Sequence, residues 1–267
     1  MLQKVKHTID AIHYAIANPR RAFRYPISAI NNSLRLSESA KVSNHGERLL
    51  VKNWQDAKKA RDFSTFAHVQ RYEWVMPQLQ KINCLDDGCG SGYGTHYLAE
   101  NGIKSITGID ISKEAIEFSK KNFETTNCHY EQMDSLELKF KDASFDAVIS
   151  FDVLEHISKE KQQKFISEIA RVIDDKGIAI IGCPNATVSV DDNPFHLHEL
   201  SKMEFELLLN QFFQQIKLYG QDLLVNGIRQ RKDWYNVLSA NNFEGIITED
   251  DCDLTYGLLA VCRKTNV

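Results

Sequence analysis

The chain opens with apolar residues at helical spacing, which predicts an amphipathic helix. Asn18-Pro19 ends this pattern, and the basic segment "NPRRAFRYP" follows. Residues 27–45 are rich in Ser and Asn and are predicted to be a linker, and residues 46–80 are predicted to be mostly helical. The apolar positions of the first helix are Leu2, Val5, Ile9, Ile12 and Ile16.

From residue 81 onwards, short apolar runs alternate with amphipathic helical stretches. This alternation predicts βαβ units, and therefore a parallel sheet with helices on both faces. The last two strands lack a long helix between them and are expected to pair antiparallel at one edge, with residues 222–250 inserted before the final strand. The predicted strands are Asn83–Asp86, Ser105–Ile109, Cys128–Gln132, Ala147–Phe151, Ile178–Cys183, Ile216–Tyr219 and Gly257–Cys262. The predicted helices lie near residues 94–101, 112–123, 159–173 and 201–212, with Ser112 and Ser158 as N-caps.

Composition restricts the class of protein. The 267 residues, 43% of them hydrophobic, suit one globular domain with appendages. No run of eighteen apolar residues and no signal peptide are visible, so a cytoplasmic protein is expected. The six cysteines form no CxxC pair, and several lie in apolar runs, which favours buried thiols over disulfides or zinc ligands.

The N-terminal segment differs in net charge from the rest of the chain. Residues 1–24 carry five basic residues and one acidic residue, whereas the whole chain has a net charge of −4. The acidic body argues against binding of double-stranded nucleic acid. The basic helix is expected either to pack on the body or on a second subunit of a homodimer, or to contact an anionic membrane surface peripherally, as at an inner membrane. The expected organisation is an extension over residues 1–45 and one domain over residues 46–267.

A glycine-rich loop follows the first predicted strand. "CLDDGCGSGYGTHYLAE" places glycines two residues apart after Asp86, and glycine allows a strand-to-helix turn to adopt positive φ and to approach a ligand closely. The ligand is expected at the carboxyl ends of the strands. The dinucleotide fingerprint GxGxxG does not fit, because its last position falls on Tyr93 or Thr95. A P-loop does not fit either, since no Gly-Lys-Ser/Thr follows.

Asp86-x-Gly-x-Gly-x-Gly instead resembles motif I of the class I S-adenosylmethionine-dependent methyltransferases, over roughly residues 68–220. The resemblance implies a Rossmann-like α/β fold with a seven-stranded, mostly parallel sheet and S-adenosylmethionine as cofactor. It implies that Asp110 accepts hydrogen bonds from both ribose hydroxyls, as suits a carboxylate facing a diol. It also implies that Asp134 meets the adenine amino group, with Met133 beside the ring. The implied cofactor-binding residues are Asp86, Gly88, Gly90, Gly92, Asp110, Ile111, Met133, Asp134 and Phe151.

Two features lie close to this loop. Asp87 stands where the family usually has an apolar residue, and it is expected either to face solvent or to approach the cofactor amine. His68, Arg71 and Tyr72 resemble the "HxxRY" lead-in of bacterial methyltransferases in cell-surface polysaccharide pathways. These three residues are interpreted either as a lid on the cofactor or as an ordinary helix face.

The stretch "FDVLEH" ends the fourth predicted strand with Asp152, Glu155 and His156, and His196, His198 and Glu199 follow the fifth. The combination resembles the metal-dependent 2′-O-methyltransferases of small-RNA 3′ ends, and the Glu-His element also resembles the ubiquinone-biosynthesis O-methyltransferases. This resemblance implies a divalent metal (Mg, Mn, Zn or Fe) bound by Asp152, Glu155, His156 and His196. The alternative is His156 or His196 as a general base beside Glu155, and a third possibility is a structural hydrogen-bond role.

The sequence therefore predicts an enzyme that methylates a hydroxyl of a sugar, a glycan or a related small metabolite, in cell-surface polysaccharide biosynthesis. Catalysis would consist mainly of in-line positioning of the acceptor against the methyl donor. Two other functions stay open at this point: methylation of an RNA end, and a catalytically silent scaffold that binds S-adenosylmethionine.

Overall fold

A computed structural model describes residues 51–59, 63–189, 193, 195–230, 243–249 and 252–264. The predicted N-terminal extension, its membrane or subunit contact and the first part of the predicted helical region lie outside these residues. Within them, no helix combines the length and the apolar character needed to cross a bilayer.

Nine strands of the described chain form a single mixed sheet. They are β1 (Asn83–Asp87), β2 (Ser105–Asp110), β3 (Cys128–Gln132), β4 (Phe145–Phe151), β5 (Ile173–Pro184), β6 (Gln215–Val225), β7 (Ile228–Gln230), β8 (Phe243–Thr248) and β9 (Gly257–Arg263). Their order is β3-β2-β1-β4-β5-β9-β6-β7, with β8 also paired to β6. The first five strands are parallel to one another, and β9 is antiparallel to both β5 and β6.

Six α-helices belong to the described residues. They are α1 (Trp54–Lys59), α2 (Phe63–Val75), α3 (Tyr93–Glu100), α4 (Lys113–Phe123), α5 (Lys159–Val172) and α6 (Lys202–Leu209). Ser112 caps α4 as predicted, because its hydroxyl accepts a hydrogen bond from Ala115 N. Ser158 occupies the N-cap position of α5 without such a side-chain bond. Short 3₁₀ turns cover Met76–Gln78, Leu154–His156 and Cys252–Leu254.

The sheet separates two hydrophobic clusters, one on each face. Strand β4 contributes to both faces, since Ala147 and Ile149 lie in one cluster and Val148 in the other. All six cysteines are buried free thiols, which confirms the prediction from the sequence.

Three expectations about the sheet need correction or extension. The sheet has nine strands instead of the seven expected, because β7 and β8 from the predicted insertion pair with β6. Strand β5 begins at Ile173 and β6 ends at Val225, so both are longer than predicted. The antiparallel pairing of the last long strands is confirmed, although β9 lies inside the sheet between β5 and β6.

Candidate active site

A cleft of about 860 Å³ opens at the carboxyl ends of β1, β2 and β4, where parallel α/β sheets bind their ligands. Most of the residues predicted for the site line this cleft. They are Gly88, Gly90, Asp110, Ile111, Asp134, Phe151, Asp152, Glu155, His156 and His196.

The glycine loop between β1 and α3 takes a left-handed backbone at three positions. Gly88, Gly90 and Gly92 have φ values of +87°, +55° and +83°. A Cβ on Gly88 would lie 2.1 Å from Val153 Cγ2, whereas a Cβ on Gly90 would meet nothing within 4 Å. The Gly88 position is therefore closed by protein, and the Gly90 position faces open space in which a ligand can approach the backbone.

Hydrogen bonds fix Asp110 at the end of β2. Its Oδ2 accepts from Gly90 N at 3.1 Å and its Oδ1 from Ser112 N at 2.7 Å. These two bonds fix the orientation of the carboxylate, and carboxylate oxygens are acceptors that suit a diol. Ile111 is next to it with 60% of its surface exposed, an apolar face in the same cleft.

Asp134 and Met133 follow β3 and differ in access to the cleft. Asp134 lines it, and its Oδ1 accepts a hydrogen bond from Leu136 N at 2.8 Å. Met133 is buried, and its sulfur accepts from Lys139 N at 3.4 Å, so it supports the segment from behind. An acidic cleft with apolar Ile111 and an open loop at Gly90 fits an adenosyl group with a cationic centre and without phosphate.

Two carboxylates at the end of β1 lie behind the loop. Asp86 is buried and accepts hydrogen bonds from Tyr72 Oη at 3.0 Å and Thr95 Oγ1 at 2.6 Å. Burial raises its pKa to about 6, although the bonds from Thr95 and Tyr72 oppose the rise. Asp86 therefore organises the loop rather than facing the cleft. Gly92 likewise packs inward, where a Cβ would meet Ser119 and Tyr130.

Asp87 is buried, so the expectation that it faces solvent is wrong. Its carboxylate accepts a hydrogen bond from the Ser135 hydroxyl, and its backbone carbonyl accepts one from Ser150. Burial raises the pKa of Asp87 to about 7; the Ser135 bond opposes this rise, and neighbouring carboxylates add to it.

Asp152 adopts a left-handed backbone, with φ of +53°, directly after β4. Its carboxylate is held from helix α2: Arg71 Nη1 lies 2.6 Å from Oδ1, and His68 Nε2 lies 2.7 Å from Oδ2. Arg71 is fully buried and donates from Nε to Gln221 Oε1 at 2.6 Å. Despite burial, these two partners hold the pKa of Asp152 well below its usual range.

Three of the four predicted metal ligands come together at the other end of the cleft. Glu155, His156 and His196 each place one ligand atom within 4.8 Å of the others. Asp152 does not join this group, because Arg71 and His68 occupy its carboxylate. The structure therefore corrects the predicted set of four ligands to three.

The loop after β5 is brought to this cluster by backbone hydrogen bonds. Leu197 N and His198 N both donate to the carbonyl oxygen of Glu155, at 2.8 and 3.1 Å. These bonds connect residues about forty positions apart and place His196 beside His156, with ring centroids 5.1 Å apart. His198 turns away from the cluster to Gln162 Oε1, at 3.1 Å.

Each imidazole of the cluster has an acceptor at Nδ1. His156 Nδ1 lies 3.0 Å from the Phe195 carbonyl, and His196 Nδ1 lies 2.5 Å from Glu199 Oε1. A carbonyl or carboxylate at Nδ1 assigns the proton to that nitrogen, and Nε2 is then the basic nitrogen of the ring. The same second contact orients histidines that bind a metal.

Sequence reasoning missed how the "HxxRY" residues act. It identified His68, Arg71 and Tyr72 on one helix face, but their partners Asp152 and Asp86 lie at the carboxyl ends of two different strands. Tyr256 also lines the cleft and was missed, because no motif surrounds it. The sequence signal for the contacts of α2 was the spacing of His68 and Arg71, which stand at i and i+3 within the helix.

Part of the chain is similar to a known family of proteins. Residues 85–181 match the family described as "Methyltransferase domain". A probable S-adenosylmethionine-dependent methyltransferase of Mycobacterium tuberculosis is 29% identical over 170 residues, which is 61% of this chain and 59% of that protein. A ubiquinone biosynthesis O-methyltransferase of Rickettsia typhi is 35% identical over 113 residues, covering 41% of this chain and 44% of that protein.

Solved structures agree on the fold. A SAM-dependent methyltransferase from Archaeoglobus fulgidus superimposes with a TM-score of 0.58 at 18% identity, covering 79% of this chain and 99% of that one. This chain spans about three fifths of the length of the mycobacterial relative.

Proposed function

We propose that this chain is a class I S-adenosylmethionine-dependent methyltransferase that methylates a hydroxyl of a sugar or glycan, or of a related small metabolite. The match of residues 85–181 to a methyltransferase domain, the mycobacterial relative and the shared fold support the first part of this proposal. The observation that carries the proposal is the pair of imidazoles, His156 and His196, on the wall of the cofactor cleft. The cofactor supplies an electrophilic methyl group on a sulfonium, and the chain must supply an oriented and deprotonated acceptor.

Positioning is the first contribution of the chain. Asp110 and Asp134 line the cleft and would hold the adenosyl part, and the open space at Gly90 would receive the donor beside the loop. The acceptor would then lie between the donor and the histidines, where fixed geometry replaces a chance encounter.

Removal of the hydroxyl proton is the second contribution. A sugar hydroxyl is a weak nucleophile at neutral pH, and Nε2 of His156 or His196 would take its proton. Glu199 stabilises the positive charge that His196 gains in that step. The carbon–oxygen bond forms as the sulfur–carbon bond breaks, and the proton stays on the imidazole until it is released to water.

A divalent ion is the alternative means of activation, and the residues fit it. Glu155, His156 and His196 would hold the ion, and three protein ligands leave positions open, as in catalytic sites. The ion would lower the pKa of the acceptor hydroxyl. The contacts of Nδ1 with Phe195 and Glu199 support this option, because they orient both rings.

Two facts support a hydroxyl of a small acceptor. Relatives include proteins named as O-methyltransferases. Aromatic residues Phe195 and Tyr256 line the cleft, and Phe195, whose carbonyl contacts His156, is 42% exposed, which suits packing against a sugar ring. The "HxxRY" resemblance is the reason for proposing a cell-surface polysaccharide as the source of that sugar.

The test is methyl transfer from labelled S-adenosylmethionine to candidate glycans, with and without EDTA. We expect transfer that His196→Gln reduces by at least about 100-fold, while His129→Gln, an exposed histidine on β3, serves as the control. Loss of activity in EDTA with recovery on one divalent ion would assign the metal option, and full activity in EDTA would assign the base. Binding of the donor without transfer to any hydroxyl would contradict the proposal.

A further inference from the structure

We infer that Asp87 is a positioning residue for the donor: through a hydrogen bond with Ser135, it holds the segment that carries Asp134 against the cleft. The inference rests on the proposed function, in which Asp134 would accept a hydrogen bond from the adenine amino group. Asp87 is not among the predicted site residues, and as a buried residue it would act through Ser135 and Asp134 rather than on the donor directly.

The segment after β3 forms part of the cleft wall. Asp134, Ser135 and Leu136 line the cleft. Leu136 N donates to Asp134 Oδ1 at 2.8 Å, and Glu137 N donates to the Asp134 carbonyl at 2.9 Å. These bonds form a tight turn and fix the Asp134 carboxylate relative to the turn. The position of the whole turn therefore decides where the carboxylate lies in the cleft.

Hydrogen bonds to two different strands attach this turn to the sheet. Met133 N donates to the carbonyl of Asp110, the last residue of β2, at 3.1 Å. The Ser135 hydroxyl donates to Oδ1 of Asp87, the last residue of β1. Strand β2 lies between β3 and β1, and neighbouring strands are about 4.8 Å apart. The bond to Asp87 therefore holds the turn across the end of β2, where Asp110 also lines the cleft.

Asp87 is a rigid point of attachment. Strand β1 pairs in parallel with both β2 and β4, so Asp87 ends a strand in the interior of the sheet. Its backbone carbonyl accepts a hydrogen bond from Ser150 Oγ of β4 at 2.8 Å. Core strands are among the parts of a protein that open least readily. The bond to Ser135 thus connects a rigid strand to a residue of the cleft wall.

A buried carboxyl is an unfavourable group at the end of an interior strand. Oδ2 of Asp87 has no hydrogen-bond partner among the described residues, and burial of a polar atom without a partner costs free energy. An apolar side chain, the usual type at buried positions, would avoid this cost. It could not accept a hydrogen bond from Ser135, and the turn would lose its attachment to β1. The attachment of the turn therefore accounts for a carboxyl at this position.

The experiment measures recognition of adenine by calorimetric titration of the full chain with two ligands. They are S-adenosylhomocysteine and S-inosylhomocysteine, in which a carbonyl oxygen replaces the amino group of the base. We expect the wild-type chain to prefer S-adenosylhomocysteine by about 10- to 100-fold, the size of a hydrogen bond to a charged group. Asp87→Leu should reduce this preference by at least about 5-fold, because Asp134 is no longer held in place. Asp87→Asn keeps an acceptor for Ser135 and should retain the preference.

Ser135→Ala removes the other partner of the bond and should reduce the preference as Asp87→Leu does. The double variant should lose no more than either single variant, since both substitutions remove the same interaction. Ser144→Ala is the matched control, because the Ser144 hydroxyl bonds to the Lys141 carbonyl at the surface. This control should keep the wild-type preference.

An unchanged preference in Asp87→Leu and Ser135→Ala would overturn the inference. Equal weakening of both ligands would also overturn it, because a general loss of structure gives that result, and so would losses that add in the double variant. A wild-type chain that binds both ligands equally would overturn the assignment of Asp134 and the inference with it. A wild-type chain that binds neither ligand would instead overturn the proposed function, so the two failures are distinguishable.

Discussion

Four aspartates at the ends of neighbouring strands lie in three kinds of environment, and their partners explain why. Asp110 faces the cleft because backbone amides of the glycine loop and of Ser112 hold it there. Asp86 and Asp87 are buried under hydroxyl donors, and Asp152 is held by cations. One residue type thus gives a carboxylate that faces the cleft, two buried carboxyls with raised pKa values and one ion-paired carboxylate.

Gly90 allows a residue-scale test in which a matched glycine is the control. Gly90→Ala and Gly227→Ala both place an alanine at positive φ with nothing within 4 Å, so each should cost about 1 kcal/mol of stability. Only Gly90→Ala puts a methyl group into the cleft. We expect calorimetry to show weaker binding of S-adenosylhomocysteine for Gly90→Ala and unchanged binding for Gly227→Ala. Equal affinities would contradict the assignment of this space to the cofactor.

Asp87 predicts a pH dependence of stability. Its pKa rises from 3.8 to about 7 in the folded chain, so the folded state holds a proton that the unfolded state releases. This carboxyl therefore lowers stability as pH rises from about 4 to about 7. Asp87→Asn keeps an oxygen acceptor for Ser135 and should be more stable by roughly 2–4 kcal/mol above pH 7, with little difference below pH 4.

Urea unfolding at a series of pH values measures this difference. Asp86 acts in the same direction, since its pKa is raised to about 6, and its contribution remains in the variant. Asp142→Asn, at an exposed carboxylate, is the control. Parallel curves for the wild-type chain and Asp87→Asn would show that Asp87 is ionised in the folded state.

Helix α2 contacts the carboxyl ends of the two central strands, β1 and β4. His68, Arg71 and Tyr72 lie at positions i, i+3 and i+4 and therefore share one face. His68 and Arg71 contact Asp152 after β4, and Tyr72 donates to Asp86 at the end of β1. The three side chains act as a clamp that fixes the position of the helix over the glycine loop.

Breaking the buried pair of this clamp should be costly. Arg71→Met leaves Asp152 without its buried cation, and we expect the free energy of unfolding in urea to fall by about 3–5 kcal/mol. Adding Asp152→Asn removes the uncompensated charge, and asparagine tolerates positive φ, so the double variant should recover at least about 1 kcal/mol.

Lys58→Met is the control, because the Lys58–Glu73 pair is exposed and should contribute less than about 1 kcal/mol. If the losses in the free energy of unfolding caused by Arg71→Met and by Asp152→Asn simply add in the double variant, the two residues do not stabilise each other.

At the scale of elements, the sequence pattern predicted the strands and helices whose formation depends on neighbouring residues. Apolar runs and the caps gave the central strands and helices to within a few residues, as for Cys128–Gln132. The start of β5 was missed because "DDKG" is polar, yet Ile173 pairs with Phe145 across the sheet. The clamp partners of α2 could not be predicted, because His68 and Asp152 are 84 positions apart in the chain and no local pattern connects them.

The order of the strands in the sheet could be predicted from the sequence for one half of the sheet and not for the other. Alternating strands and helices imply the parallel order of β1 to β5, since right-handed crossovers leave few arrangements. The place of β9 between β5 and β6 depends on pairing among strands far apart in the chain, which the sequence pattern does not specify.

Six buried thiols test the packing of the whole molecule. Each cysteine is less than 6% exposed, and burial raises the thiol pKa of five of them, for example to about 11 at Cys128; the five are Cys84, Cys89, Cys128, Cys183 and Cys262. We expect Ellman's reagent to label no thiol rapidly in the native chain and all six in urea. Cys89 lines the cleft, so it should react first among them, and S-adenosylhomocysteine should slow that reaction. Fast labelling of several native thiols would contradict this packing.

The central place of β9 also has a consequence for biosynthesis. Residues Gly257–Arg263 leave the ribosome after β5 and β6 have been made, yet both strands need β9 as their neighbour. Until then, each has a row of backbone groups without its native partner, which is the kind of edge that pairs with other chains. The nascent protein therefore passes through an interval in which a chaperone would be most useful, and that interval ends only when β9 is inserted.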